Sequence, residues 1–169
     1  MFSLQPERAE DAPAIDTLMD HAFGANRLER TVYKLRIGAP VSGLSFVARQ
    51  DGAFVGSIRF WQVEMDRGVP GVLLGPLAVE PHLRGKGIGK ALVGHGLSQA
   101  AKIGHGLCLV SGDPDYYGPF GFVAACPLGL TLPGPVTQGH FQVKELSPGW
   151  LALARGEVRR PFARSMVAA

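Results

Sequence analysis

Cysteine is nearly absent: the 169 residues hold two, Cys108 and Cys126. Two thiols so far apart make neither a disulfide framework nor a metal-ligand spacing. A reducing, cytoplasmic setting is therefore expected, with no metal. No apolar run approaches the roughly 20 residues of a membrane span, so no membrane partner is expected. The first residues carry Glu7, Glu10 and Asp11 where an export signal needs a basic start and an apolar core, so no leader is expected. The net charge is only +3, too small by itself to argue for nucleic acid, which is not an expected partner. Charged residues make up 18% and apolar residues 46%, which excludes a disordered chain. The length suits one domain over residues 1–169, and no internal repeat is visible.

Glycine, by contrast, is plentiful at 23 residues. Its most telling placement lies in the stretch from Leu74 to Leu97. An apolar run ending in Leu77, Ala78 and Val79 meets Pro81, which cannot donate to a strand ladder. Arg84-Gly85-Lys86-Gly87-Ile88-Gly89-Lys90 follows, and then a helical pattern. Alternating glycines let the backbone turn tightly and approach a ligand without Cβ atoms in the way. The first N–H groups of the helix are unpaired and carry partial positive charge, so its start favours a phosphate. Arg84, Lys86 and Lys90 add formal charge. The stretch reads as an anion cradle, with pyrophosphate the best candidate.

Spacing tests the alternatives. A P-loop needs Gly-Lys-Ser/Thr, but Gly89-Lys90 precedes Ala91. A dinucleotide fingerprint needs G-x-G-x-x-G/A, but the sixth position is Lys90 counted from Gly85 and Leu92 counted from Gly87. What fits is Arg/Gln-x-x-Gly-x-Gly/Ala, met by Arg84, Gly87 and Gly89. That pattern resembles the acetyl-CoA-binding motif of the GCN5-related N-acetyltransferases. The resemblance implies that the amides of this loop hold the CoA pyrophosphate. It also implies that the preceding strand splays from its neighbour, and that backbone groups at Leu77, Ala78 and Val79 bind the pantetheine arm and the acetyl carbonyl. Gly75-Pro76, an irregularity inside the apolar run, stands beside the expected splay.

A second constellation, Ser111 to Phe122, resembles the same family. There a Tyr four residues before a Gly-Phe pair lies close to the CoA sulfur; Tyr117 stands four before Gly121-Phe122. Once an amine attacks the thioester, the sulfur leaves as a thiolate, and a phenol of ordinary pKa about 10 can donate its proton to it. Tyr116 is the runner-up. The segment is shorter and richer in proline than the family pattern, and its Gly-Asp-Pro-x-Tyr-Tyr form resembles the branch typified by YhbS.

The rest of the chain frames these motifs. Strands are expected at Phe2–Gln5, Ser45–Arg49, Ala53–Glu64, Val69–Val79, Leu107–Val110 and Phe141–Leu146, with Leu128–Leu132 extended. Asp51-Gly52 is a hairpin signal. Helices are expected from Asp11, as N-cap, to Gly24; over Arg27–Ile37 with Leu28, Val32 and Leu35 on one stripe; and over Ile88–Ile103. The apolar face of the last is Ile88, Leu92, Val93, Leu97, Ala100 and Ala101, with His95 outward. Gly94 and Gly96 suggest close packing on the sheet. Trp150–Leu153 reads as a helical turn that packs back. Arg155, Arg159, Arg160 and Arg164 form a basic end that is either a solvated face or a contact for the CoA 3′-phosphate or an acidic partner.

The resemblance implies an α/β (α+β) acyl-CoA N-acyltransferase fold, with a mixed, mostly antiparallel sheet of about six to seven strands flanked by helices and strands 4 and 5 splayed. It implies acetyl transfer to a primary amine, on a small molecule or a protein, by direct attack in a ternary complex. A homodimer is compatible with this. Helices one and two would border the acceptor cleft, so His21, Arg27, Glu29 and Arg30 are candidates to face substrate. No general base stands out; Glu80 and Glu64 are the nearest carboxylates in sequence, and a water chain would also serve. Cys108, in an apolar strand with no positive neighbour, reads as core. Two rival readings stay open: a CoA sensor without catalysis on the same fold, and a nucleic-acid binder using the basic end.

Overall fold

The computed structural model describes residues 1–161. Arg164 therefore lies outside the described residues. The strand β1 (Phe2–Pro6) leads into helix α1 (Ala12–Phe23). Two single-turn 3-10 segments follow, Ala25–Glu29 and Thr31–Lys34. The meander β2 (Ser45–Gln50), β3 (Ala53–Glu64) and β4 (Pro70–Val79) comes next, then helix α2 (Ile88–Lys102) and β5 (Leu107–Ser111). A four-residue helix α3 (Pro114–Tyr117), then β6 (Val123–Ala124), β7 (Leu130–Thr131), β8 (Phe141–Glu145) and β9 (Gly156–Glu157) complete the chain.

Seven strands form one sheet in the order β1-β2-β3-β4-β5-β8-β6, and β7 pairs with β9 in a small second sheet. All pairs in the large sheet are antiparallel except β4 with β5. The Asp51-Gly52 turn joins β2 to β3 with both residues at positive φ (52° and 80°), as a two-residue hairpin requires.

Each face of the sheet has its own core. On one, Ile88, Leu92, Val93 and Leu97 of α2 pack against Phe46, Ile58, Phe60 and Leu74. On the other, Ile15, Leu18 and Met19 of α1 cover Val47 and Ala78. Farther along, Val32 and Leu35 join Trp61, Leu73, Leu109 and Val143. Leu107 to Val110 are all buried, as expected of a strand covered on both faces.

The contact of α2 with the sheet depends on glycine. A Cβ on Gly96 would fall 2.5 Å from a ring carbon of buried Phe60, whereas Gly94 faces open space. At Gly56 a Cβ would meet the Ala78 carbonyl and Leu92 Cδ1, each at 3.2 Å, beside a register shift in the β2–β3 ladder. Of the expected apolar face, Ala101 is exposed. His95 is half-buried and meets Phe46 edge-on at 4.5 Å rather than pointing outward.

The expected helix over Arg27–Ile37 does not form. Arg30 is extended (φ −66°, ψ 144°) and separates the two 3-10 turns. Leu28 is 64% exposed, so only Val32 and Leu35 of the stripe are buried. Two anchors bury too little to hold a continuous helix. The second turn is instead pinned by Thr31, whose hydroxyl donates to the Pro135 carbonyl from a distant loop. Asp11 also differs from expectation. Its carboxylate does not cap α1 but accepts from the Arg8 amide at 2.8 Å and from the Arg49 guanidinium, tying α1 to β2.

Two residues of the basic end have partners within the fold. Arg159 meets Glu64 at 3.3 Å and donates to the Met65 carbonyl at 2.9 Å. Arg155 donates to its neighbour's carbonyl, Ala154 O.

Candidate functional site

The site begins where β4 loses its partner. β4 pairs with β5 only at Val72–Cys108 and Leu73–Leu109, yet runs on to Val79. Its other edge stays paired with β3 up to Gly56–Val79. Beyond Leu74, β4 has no strand partner on its β5 side, so backbone groups there are open to solvent or a ligand, apart from the Gly75 carbonyl. Gly75-Pro76, joined by a cis peptide, slips the β3–β4 register between Ile58 and Phe60. Proline's missing N–H removes no bond to β5 here, because that ladder has already ended. The Trp61 indole N–H donates to the Gly75 carbonyl at 2.7 Å and holds the irregularity in place.

The glycine loop follows directly. Gly85 and Gly87 have φ of 78° and 88°, and a Cβ on either would meet no protein atom within 4 Å. Gly87 is the N-cap of α2. The first amide to bond within the helix is Ala91 N, to the Gly87 carbonyl at 3.0 Å. The amides of Ile88, Gly89 and Lys90 are thus left for a ligand, at the positive end of the helix. The start of a helix with unpaired amides favours an anion there.

Two cavities meet at this point. One, of about 510 Å³, is lined by Leu77, Ala78, Val79, Arg84, Gly85 and the start of α2. It gathers the residues expected to hold CoA; Lys86 alone of that set is not among its lining. The larger, about 950 Å³, opens between β4 and β5 and is lined by Gly75, Pro76, Leu77, Arg84, Gly112 and Tyr117 among others. Leu77, Arg84 and Tyr116 line both.

The two tyrosines are placed differently. Asp113 caps α3, accepting from Asp115 N at 2.9 Å, and this short helix carries both rings. Tyr117 is 8% exposed, edge-on to Phe122 at 5.7 Å and to Tyr116 at 4.9 Å. Gly112 lies so close beneath it that a Cβ there would collide with the ring. Among the described residues nothing hydrogen-bonds the Tyr117 hydroxyl. Burial pushes its phenol well above the usual tyrosine range, the neighbouring Tyr116 adds to this, and the Arg36 charge opposes it. Tyr117 is therefore neutral, with its proton in place, at physiological pH. Tyr116 is half-buried, and its hydroxyl lies 2.8 Å from where a Cβ on Gly89 would sit, beside the helix start. Burial raises its phenol too.

Other candidates divide cleanly. Glu29 and Arg30 line the larger cavity; His21 and Arg27 do not, and Arg27 pairs with Asp20. Glu64 is buried against Arg159, and neither it nor Glu80 lines either cavity. Cys108 is fully buried, and burial drives its thiol far up, away from a reactive thiolate. Cys126 is free and exposed and lines neither cavity. The sequence reading missed Tyr33, Arg36 and His140, all on the wall of the larger cavity. None belongs to a recognisable spacing; only the folded loops bring them to the cleft. Among the described residues no helix is long and apolar enough to cross a membrane.

Comparison with known proteins agrees with this geometry. The family model for the acetyltransferase (GNAT) domain matches residues 42–124, which includes both cradle and tyrosines. The chain is 33% identical over 139 residues to an uncharacterised N-acetyltransferase of Escherichia coli K12, YhbS, covering 81% of this chain and 83% of that protein. A crystal structure of E. coli YhbS in complex with CoA superposes with a TM-score of 0.82 at 31% identity, covering 94% of this chain and 89% of the other. A GNAT family acetyltransferase from Brucella melitensis, solved with acetyl-CoA, gives a TM-score of 0.70 at 27% identity over 98% of each chain. With its seven-stranded mixed sheet parting between β4 and β5, the chain belongs to the GCN5-related N-acetyltransferase family.

Proposed function

We propose that the protein transfers an acetyl group from acetyl-CoA to a primary amine. The observation that carries this reading is the junction itself. The open β4 edge and the unpaired amides at the start of α2 come together where the two cavities meet; Tyr116 lines both cavities, and the protonated Tyr117 stands on the wall of the larger one. In this reading the amides of Ile88, Gly89 and Lys90, with Arg84, Lys86, Gly85 and Gly87, hold the pyrophosphate. Backbone groups of Leu77, Ala78 and Val79 take the pantetheine arm and acetyl carbonyl. The CoA found in the E. coli YhbS crystal and the acetyl-CoA in the Brucella protein support this assignment.

The chemistry is a direct displacement. The amine nitrogen bonds to the thioester carbonyl carbon, and the carbonyl oxygen gains charge that backbone N–H groups stabilise. The C–S bond breaks, and the sulfur takes the proton of the Tyr117 hydroxyl. The attacking nitrogen's own proton leaves and restores the phenol. Direct attack needs no acyl-enzyme, and Cys108 is too buried to form one.

Release of free CoA thiol from acetyl-CoA with a panel of primary amines tests the reading. Amine-dependent release at a rate above hydrolysis is expected. Tight CoA binding without release to any amine would replace it with a sensor.

A further inference from the structure

The wall of the larger cavity holds two poorly partnered polar atoms. Arg36 Nε and the Tyr33 hydroxyl are both closed off from solvent and make no hydrogen bond of good geometry, although guanidinium and phenol lie near enough to interact; the rest of the guanidinium is the part that can meet a ligand. Buried polar atoms are seldom left this way in native proteins, because each forfeits its hydration. The two belong together: the Arg36 guanidinium lies over the Tyr33 ring, 4.8 Å from its centre. Its end presses on Gly75, where the free stretch of β4 begins.

Arg36 also lacks a counter-ion. The ion pairs among the described residues use Arg8, Arg27, Arg49, Arg59 and Arg159. The neighbouring formal charge that acts on Arg36 is another cation, Arg30, and the Tyr33 phenol faces it. Burial draws the guanidinium down to about 10, which leaves it charged at neutral pH. A charge set into a cavity wall without compensation is costly unless a ligand supplies its partner. The CoA cradle lies elsewhere, in the smaller cavity, which Arg36 does not line. Arg36 also precedes the residues matched by the family model, so it belongs to the part of the cleft outside that match.

We propose that the acceptor is a zwitterionic amine of the amino-acid type, whose carboxylate is bound by Arg36. The proposal rests on the acetyltransferase reading. A planar guanidinium matches a carboxylate in shape and charge. Two acidic side chains, Glu29 and Asp113, line the same cavity alongside Arg30 and Arg84; the acids suit the ammonium end of a zwitterion. Arg36 and Tyr117 share this cavity, and the Arg36 charge is felt at the Tyr117 phenol. A carboxylate held at Arg36 therefore leaves the amine on the side of the free β4 edge and the proton donor. A cavity of about 950 Å³ leaves room for the rest of the acceptor.

The test compares α-amino acids with their own primary amides, which keep the amine and lose the anion. The wild-type protein should favour the acid in kcat/KM by roughly 10- to 100-fold, mainly through KM, the range of a charge-assisted bond. In Arg36→Gln the acid-to-amide ratio should fall towards one, and in Arg36→Lys part of the preference should survive. Both variants should keep wild-type CoA affinity by calorimetry. The second arm needs no turnover: N-acetyl amino acids and their amides are titrated into the CoA-saturated protein. Acid and amide performing alike in the wild-type protein overturns the proposal, as does a preference that survives Arg36→Gln. Loss of CoA affinity in Arg36→Lys would assign Arg36 to the donor and overturn it too. Arg36-dependent binding of the acids, with no thiol release from any amine, would keep the carboxylate site and sink the acetyltransferase reading.

Discussion

Tyr117→Phe removes one oxygen and is the sharpest probe of the junction. The ring keeps its edge contacts to Phe122 at 5.7 Å and Tyr116 at 4.9 Å. No hydrogen bond to the described residues is lost, so global stability should change by less than about 1 kcal/mol. CoA affinity should hold, because Tyr117 does not line the smaller cavity. In the proposed mechanism, however, the proton donor is gone. General acid catalysis is worth about 10²- to 10⁴-fold, or roughly 3 to 5 kcal/mol of barrier, and kcat should fall within that range. Saturating acetyl-CoA, the best amine of the panel and a thiol-reactive dye measure it directly. The pH profile supplies an independent check. Burial lifts the Tyr117 phenol above its ordinary value of about 10, so the wild-type kcat should show no falling limb from this group below pH 10. A Tyr117→Phe rate within about threefold of wild type would refute the assignment. So would a Tyr116→Phe variant that shows the loss in its place.

Other expectations are simpler to state. Gly87→Val places a β-branched residue at φ 88°, where even an ordinary side chain costs about 1–2 kcal/mol, and puts methyl groups in the ligand's space; CoA affinity should drop about tenfold or more by calorimetry, and unchanged affinity would remove the loop from the site. Cys108→Ala should cost about 1 kcal/mol by urea unfolding and leave thiol release intact; abolished transfer in a folded variant would point to an acyl-enzyme. Asp11→Asn should cost about 1–3 kcal/mol at pH 7, since Arg49 then loses its buried carboxylate. Burial raises the Asp11 carboxyl, but the Arg8 amide and Arg49 outweigh this and hold it below the usual range. Its contribution is therefore present above pH 4 and lost as pH falls through the lowered pKa, so the unfolding gap between wild type and Asp11→Asn should close at low pH.

Much of the donor half was legible in the chain. The Arg84–Lys90 spacing, the strand before it and the helix after it are local features, set by glycine geometry and apolar periodicity over a few residues. β3 spans Ala53–Glu64 as expected, because Asp51-Gly52 marks one end and Asp66-Arg67-Gly68 the other. Local signals failed where partners are remote. The stripe Leu28, Val32, Leu35 has helical spacing, yet the sheet buries only two of the three, and Thr31 is claimed by Pro135. His95 looked solvent-facing until Phe46 came from β2 to meet it.

The sequence alone thus determined the family, a glycine cradle at a helix start and a pair of candidate tyrosines, because those depend on short-range backbone requirements that particular residue types announce. Only tertiary structure decided which tyrosine lies against Gly112 in the cleft between the splayed strands and which leans on Gly89 at the helix start. It alone carried Arg36 from the expected helix over Arg27–Ile37 to the cavity wall, where it makes no ion pair among the described residues. The acceptor side is assembled from loops far apart in the chain, and charges brought together by folding leave no pattern in the order of residues.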